Sequence, residues 1–192
     1  MEPITLKKLE SYNKLSFLKR IGKSQNAVSY NPRHFRKWYT VDTDVYLEKY
    51  GCNLQRPYVW TLIQQQELIW SIFMDRPVPP FVFIQHSDDH MNHTTMMVID
   101  GKQRLTTIFR YMDNEFPIIV DGEEVFYRDM DKMAQFRIAN FDIRAQIYYS
   151  YENDPITDDE KIIIFNHYNF AGTPQEKEHQ EKLQGFIDAS TK

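Results

Sequence analysis

An α+β domain with a helical C-terminal end is the fold this sequence predicts, and three observations carry the prediction. Two apolar runs, residues 81–85 and 95–99, sit either side of a polar loop and read as buried strands. Capping-box spacings at Thr61/Gln64 and Thr157/Glu160 open apolar, helix-compatible stretches. Asp121-Gly122-Glu123-Glu124 lies between Ile118-Ile119-Val120 and Val125-Phe126-Tyr127 as a hairpin turn does.

The elements follow in order. Residues 1–40 form a basic N-terminal segment, with a short helix expected near 4–20 and a turn at Asn31-Pro32. Residues 41–192 form the folded domain. It begins with a candidate strand at 41–50 and a turn-rich loop at 51–58. The helix opened by Thr61 offers Leu62, Ile63, Gln66, Leu68, Ile69, Ile72 and Phe73 as its mostly apolar face, and Pro77, Pro79 and Pro80 end it. Strand 81–85, loop 86–94 and strand 95–99 come next, then a helix over 102–113, the hairpin, and a strand over 139–151. The Thr157 box starts a helix through Ile162-Ile163-Ile164-Phe165. Thr173-Pro174-Gln175-Glu176 starts another, with proline at the first helical position.

Composition narrows the function classes. A hydrophobic content of 42% with 26% charged residues belongs to a globular chain that buries a core. A single cysteine, Cys52, excludes an intramolecular disulfide and fits a reducing compartment. No segment is long and apolar enough to span a bilayer, and the first residues lack a signal-peptide pattern. A soluble cytoplasmic protein is expected. The net charge of −4 conceals an asymmetry: residues 1–40 hold nine Lys/Arg against two acids, a net +7, and the remainder carries −11. Lys19, Arg20, Arg33, Arg36 and Lys37 are candidate DNA contacts on this segment, which fits equally an arm docked on its own acidic body.

The chemistry concentrates in Val98-Ile99-Asp100-Gly101-Lys102-Gln103-Arg104-Leu105-Thr106-Thr107. An apolar run ends in Asp-Gly, and polar and cationic residues then occupy the first turn of a helix. Helix starts carry unpaired N–H groups and partial positive charge, which suit a phosphate. Arg104 and Lys102 are candidate phosphate ligands, the first bidentate and the second a point charge. Asp100 is a candidate to hold Mg²⁺ or orient a water, and Gln103 to position a water or a ribose hydroxyl. The same run also fits a plain βα turn with a solvated Lys and Arg. A second run, Leu54-Gln55-Arg56-Pro57-Tyr58-Val59-Trp60, offers Arg56 as another phosphate clamp. Its aromatics fit either a base platform or, as large aromatics mostly do, the packing of the helix start. His86, Asp88, Asp89, His90 and His93 crowd one loop, but their spacing matches no standard zinc pattern and a solvated loop accounts for them. His167 and His179 are solitary.

Together, Gln55-Arg56-Pro57-Tyr58-Val59-Trp60 and the Asp100-Gly101-Lys102-Gln103-Arg104 run resemble the N-terminal domain family of GmrSD restriction enzymes, within the ParB/sulfiredoxin-like folds. Phe165-Asn166-His167-Tyr168-Asn169-Phe170-Ala171-Gly172-Thr173-Pro174 resembles that family's downstream segment, so the resemblance spans about residues 40–180. It implies a ParB/sulfiredoxin-like mixed sheet and a nucleotide-binding or nucleotide-hydrolysing module in defence against foreign or modified DNA. Asp100, Gly101, Gln103 and Arg104 map onto its signature, and Gln55 and Arg56 onto the earlier one. Lys102 departs from the family's usual glutamine and adds a cation. Larger members continue into an HNH-type nuclease domain for which this length leaves no room, so a separate nuclease subunit is an expected partner. Sulfiredoxin-type chemistry needs a thiol beside the phosphate, and Cys52 lies outside the Asp-Gly run. The leading expectation is Mg²⁺-dependent hydrolysis of a nucleoside triphosphate, with Asp100, Gln103 and Arg104 catalytic. Gln55, Arg56, Gly101, Lys102 and Arg104 would bind the nucleotide. A non-catalytic DNA-binding regulator and a ParB-like nuclease are the alternatives.

Overall fold

Five strands form one mixed sheet in the computed structural model, which describes residues 25–87 and 94–169. In spatial order they are β1 (Gln25–Tyr30), β9 (Ile143–Tyr151), β5 (Phe81–Ser87), β6 (Thr94–Asp100) and β2 (Thr40–Asp42), numbered along the chain. β1 runs antiparallel to β9 and β5 antiparallel to β6, while β9 with β5 and β6 with β2 are parallel. Five helices flank the sheet: α1 (Pro32–Trp38), α2 (Leu62–Phe73), α3 (Lys102–Met112), α4 (Lys132–Ala139) and α5 (Asp158–Asn169). Two small hairpins complete it, β3 (Tyr46–Leu47) with β4 (Cys52–Asn53) and β7 (Ile118–Val120) with β8 (Glu123–Val125). This is the α+β class the sequence predicts.

Alternation along the central strands explains the two-sided burial. Phe81 and Phe83 on β5, Met96 and Val98 on β6, and Ile143, Ala145 and Ile147 on β9 enter one core with α1 to α4. Val82, Ile84, Ile99 and Tyr148 face the other way, against the β3–β4 hairpin and Ile162, Ile164 and Phe165 of α5. Strands buried on both faces read as continuous apolar runs, which is why 81–85 and 95–99 stood out.

Several expectations are corrected by local chemistry. The strand expected at 41–50 is broken into β2 and β3, because the Asp42 carboxylate accepts from the N–H groups of Asp44 and Val45 and folds the chain into a turn. Asn31-Pro32 begins a helix rather than a turn: the Asn31 side chain accepts from His34 N–H and Pro32 takes the first helical position. Residues 139–142 precede β9 instead of joining it, with Ala139 closing α4. On α2, Leu62 and Ile63 face solvent, and Gln65, Leu68, Ile69 and Ile72 are the buried face. The boxes at Thr61/Gln64 and Thr157/Glu160 are formed as expected. The helix expected near 4–20 and the start at Thr173 lie outside the described residues. No described helix is long and apolar enough to cross a membrane.

Candidate functional site

The site is built where β6 ends. Val82 pairs with Asp100 but Phe83 with Val98, so Ile99 is an extra residue on β6 and the strand bulges immediately before Asp100. Pairing with β2 stops at Met97, and the Gln55 amide takes over that edge by donating to the carbonyls of Val98 (2.8 Å) and Ile99 (2.6 Å). Gly101 then turns the chain with φ of 101°, and a Cβ there would stand 2.4 Å from Cδ1 of Phe81. Glycine is required twice over, by dihedral and by space.

α3 starts at Lys102 with no side-chain cap and no acid in its first turn, so its leading N–H groups and partial positive charge are left to whatever occupies the cleft beside them. That cleft, of about 650 Å³, is lined by Gln55, Arg56 and Trp60 of the earlier run and by Asp100, Gly101, Lys102, Gln103 and Arg104 of the later one. Gln64, Glu67, Leu68 and Ser71 of α2, residues 77–79, and Tyr168 of α5 complete it. The two runs singled out in the sequence thus meet in one cavity.

What sutures them is polar. Gln103, nearly buried, donates from Nε2 to Pro57 O (3.0 Å), and its Oε1 accepts from Val59 N–H (2.9 Å). Tyr58 and Thr107 hydroxyls pair at 2.8 Å, and Thr107 also donates to Gln103 O. The Gln55 Nε2 group and both ends of the Gln103 amide are thus bonded to backbone, while both side chains still line the cleft. Tyr58 lies under Arg110, its ring 5.0 Å from the guanidinium. Trp60 lines the cleft while packing against the larger core.

The cations differ in availability. Arg104 donates to Asp100 Oδ2 (2.8 Å) and to the carbonyl of Pro79, with its guanidinium 4.7 Å over the Phe81 ring. Burial lowers its pKa from the ordinary value, and the adjacent Asp100 carboxylate opposes that shift. Lys102 is only 7% exposed, and its ammonium sits 2.6 Å from Asp44 Oδ1. Arg56 is half-buried, lines the cleft, and has no hydrogen-bond or ion-pair partner among the described residues. It is the cation most open to an incoming anion.

Asp100 is about one-third exposed, and Arg104 takes only one of its carboxylate oxygens. No group of three or more His, Cys, Asp or Glu side chains stands together among the described residues. A metal at Asp100 would therefore complete its shell with water and ligand oxygens, which suits Mg²⁺. His86 bonds Ser150 Oγ through Nδ1 at 3.2 Å, and residues 88–93 lie outside the described residues. His167 packs edge-on against Tyr168, and His179 lies outside the described residues. Cys52 packs with the second core and does not line the cleft.

Of the DNA-contact candidates, Arg33, Arg36 and Lys37 are exposed on α1, while Lys19 and Arg20 lie outside the described residues. Sequence reasoning missed Asp44, Glu67, Ser71 and Tyr168. The spacing of Gln64, Glu67 and Ser71, three and four residues apart, was a findable signal, since it places all three on one side of α2.

A family model described as GmrSD restriction endonuclease, N-terminal domain, matches residues 53–191, a stretch that includes both runs and the cleft they share. No curated protein and no solved structure matches the chain.

Proposed function

The chain belongs to the GmrSD restriction endonuclease N-terminal domain family, and on that premise we propose that it is a nucleotide-binding module of a restriction or defence system that hydrolyses a nucleoside triphosphate with Mg²⁺. The observation that carries the reading is the cleft itself, where an uncapped helix start faces an uncommitted arginine and a half-engaged carboxylate. The ParB/sulfiredoxin-like name for the fold belongs to the same reading.

The roles follow from availability. Phosphate oxygens take the first-turn N–H groups of α3 and the Arg56 guanidinium, a charge-assisted pairing suited to a fork of donors. Arg104 steadies Asp100 and stands ready to share its charge with the terminal phosphate. Asp100 accepts from the attacking water. As that water bonds to the terminal phosphorus its proton passes to Asp100, and the bridging P–O bond breaks with its electron pair going to the departing nucleoside diphosphate. Such transfer asks mainly for positioning and charge stabilisation. Mg²⁺, when bound at Asp100, supplies charge neutralisation across the terminal phosphates. Trp60 and Tyr168 offer aromatic faces for the base.

The test is calorimetric binding of ATP, GTP, CTP and UTP with Mg²⁺, alongside phosphate release, for wild type and Arg56→Ala. We expect one or more nucleotides to bind and turn over. Arg56→Ala should weaken binding by roughly tenfold or more, the scale of one lost charge-assisted hydrogen bond, at unchanged melting temperature. Binding without phosphate release would replace hydrolysis by a nucleotide-gated switch. Failure of all four to bind would overturn the phosphate site.

A further inference from the structure

α1 shows water a basic and aromatic face that the cleft does not use. Arg33, His34, Arg36, Lys37 and Trp38 are all exposed, and the helix contains no acid. Asp113 neutralises Arg36 through two bonds of 2.8 Å. Arg33 and Lys37 have no carboxylate partner among the described residues. Trp38 is 60% exposed, with the Lys37 ammonium 4.8 Å above its ring. Trp38 thus stands open to solvent among cations that no carboxylate of the described residues neutralises, Arg36 excepted.

The aromatic surface continues from there. The His34 ring lies 6.1 Å from Trp38 and 6.0 Å from Tyr39. Tyr39 in turn meets Tyr30 edge-on at 5.7 Å and 89° and packs against the larger core. In sequence, residues 1–24 hold six Lys/Arg against two acids and lie outside the described residues.

We propose that this face binds single-stranded nucleic acid, its backbone along Arg33 and Lys37 and its bases stacked on the exposed rings of Trp38 and His34. Free cations with interleaved aromatic faces fit a strand whose bases are unpaired, because a duplex hides base faces and uses only the charges. The inference rests on the reading that this family acts on DNA, but it uses a surface separate from the nucleotide cleft.

Fluorescence anisotropy with a labelled oligothymidine strand and with a duplex of equal length tests it. We expect the strand to bind more tightly than the duplex. Trp38→Ala should weaken strand binding about tenfold, the scale of one lost stacking platform, while leaving duplex binding little changed. Arg33→Ala/Lys37→Ala should flatten the dependence of affinity on salt, by roughly one unit of slope per cation. These side chains are exposed, so melting temperature and nucleotide affinity should not move in either variant. Equal strand affinity for Trp38→Ala and wild type overturns the proposal, as does a preference for duplex. Absence of binding to both polymers also overturns it. Failure of the cleft reading is distinguishable, because it appears as wild type that binds no nucleotide.

Discussion

Lys102 and Arg56 are both cations on one cleft, yet their surroundings assign them different work. The Lys102 ammonium is held against Asp44, which stands in the turn that the Asp42 side chain makes after β2. An ion pair with one member buried is asymmetric toward mutation. Removing Asp44 strands a buried ammonium, whereas replacing Lys102 by an apolar side chain of similar length leaves Asp44 in water. Asp44→Ala should therefore cost about 1–3 kcal/mol of unfolding free energy, and Lys102→Met less than about 1 kcal/mol. Urea denaturation of both variants checks the order. If Lys102 instead serves the phosphate, Lys102→Met will lower nucleotide affinity as far as Arg56→Ala does. The sequence displayed both cations but not this division. Residue types and local spacing are written along the chain, whereas Asp44 reaches Lys102 only through the pairing of β2 with β6. The same holds for Gln103, whose two backbone partners in the 57–59 segment lie more than forty residues away along the chain.

Elements were legible where their signals are local. The Thr61 box is one such signal: the Thr61 hydroxyl accepts from Gln64 N–H, and the Gln64 side chain accepts from Thr61 N–H at 2.9 Å. Thr61→Ala should cost about 1 kcal/mol and lower the melting temperature by a few degrees, with Thr61→Ser retaining the difference. A fall in nucleotide affinity greater than the loss of stability would show that the start of α2 also sets the position of Trp60. α4 was missed for the opposite reason. It is eight residues long, and Met133 and Phe136 are exposed, so no clean apolar face marks it against the strand that follows. The bulge at Ile99 was equally hidden, since the sequence 95–99 reads as one uninterrupted strand. Its register shift exists only in the pairing with β5, yet that shift sets the place of Asp100 in the cleft.

At the scale of the whole molecule, the sheet separates two cores, and each holds a tyrosine whose phenol is pushed above its ordinary value by burial. Tyr111 lies in the core with α3, donating to Val125 O at 3.3 Å, while Tyr148 lies against α5 with its hydroxyl 2.8 Å from that of Tyr168. Tyr30, at the edge of the larger core, is raised by burial and by its neighbours Tyr39 and Tyr149. A phenol that keeps its proton longer in the folded state makes folding pH-dependent with a definite sign. The stabilisation is fully present below the unfolded value near 10 and is lost as pH climbs from there toward the folded values. Denaturation midpoints should therefore be level between pH 8 and about 9.5 and fall steeply above about 10. Because the tyrosines lie on both faces of one sheet, ionising either set loosens strands that both cores share. Near-ultraviolet circular dichroism and tyrosine absorbance should then report one coincident alkaline transition. Tyr148→Phe removes one titrating group and should shallow the alkaline fall, at about 1 kcal/mol of stability near neutral pH from the lost hydroxyl pair. Two separated transitions would instead mean that α5 and the β3–β4 hairpin leave the sheet on their own. The cleft would then lose its Tyr168 wall before the α3 side of the molecule unfolds.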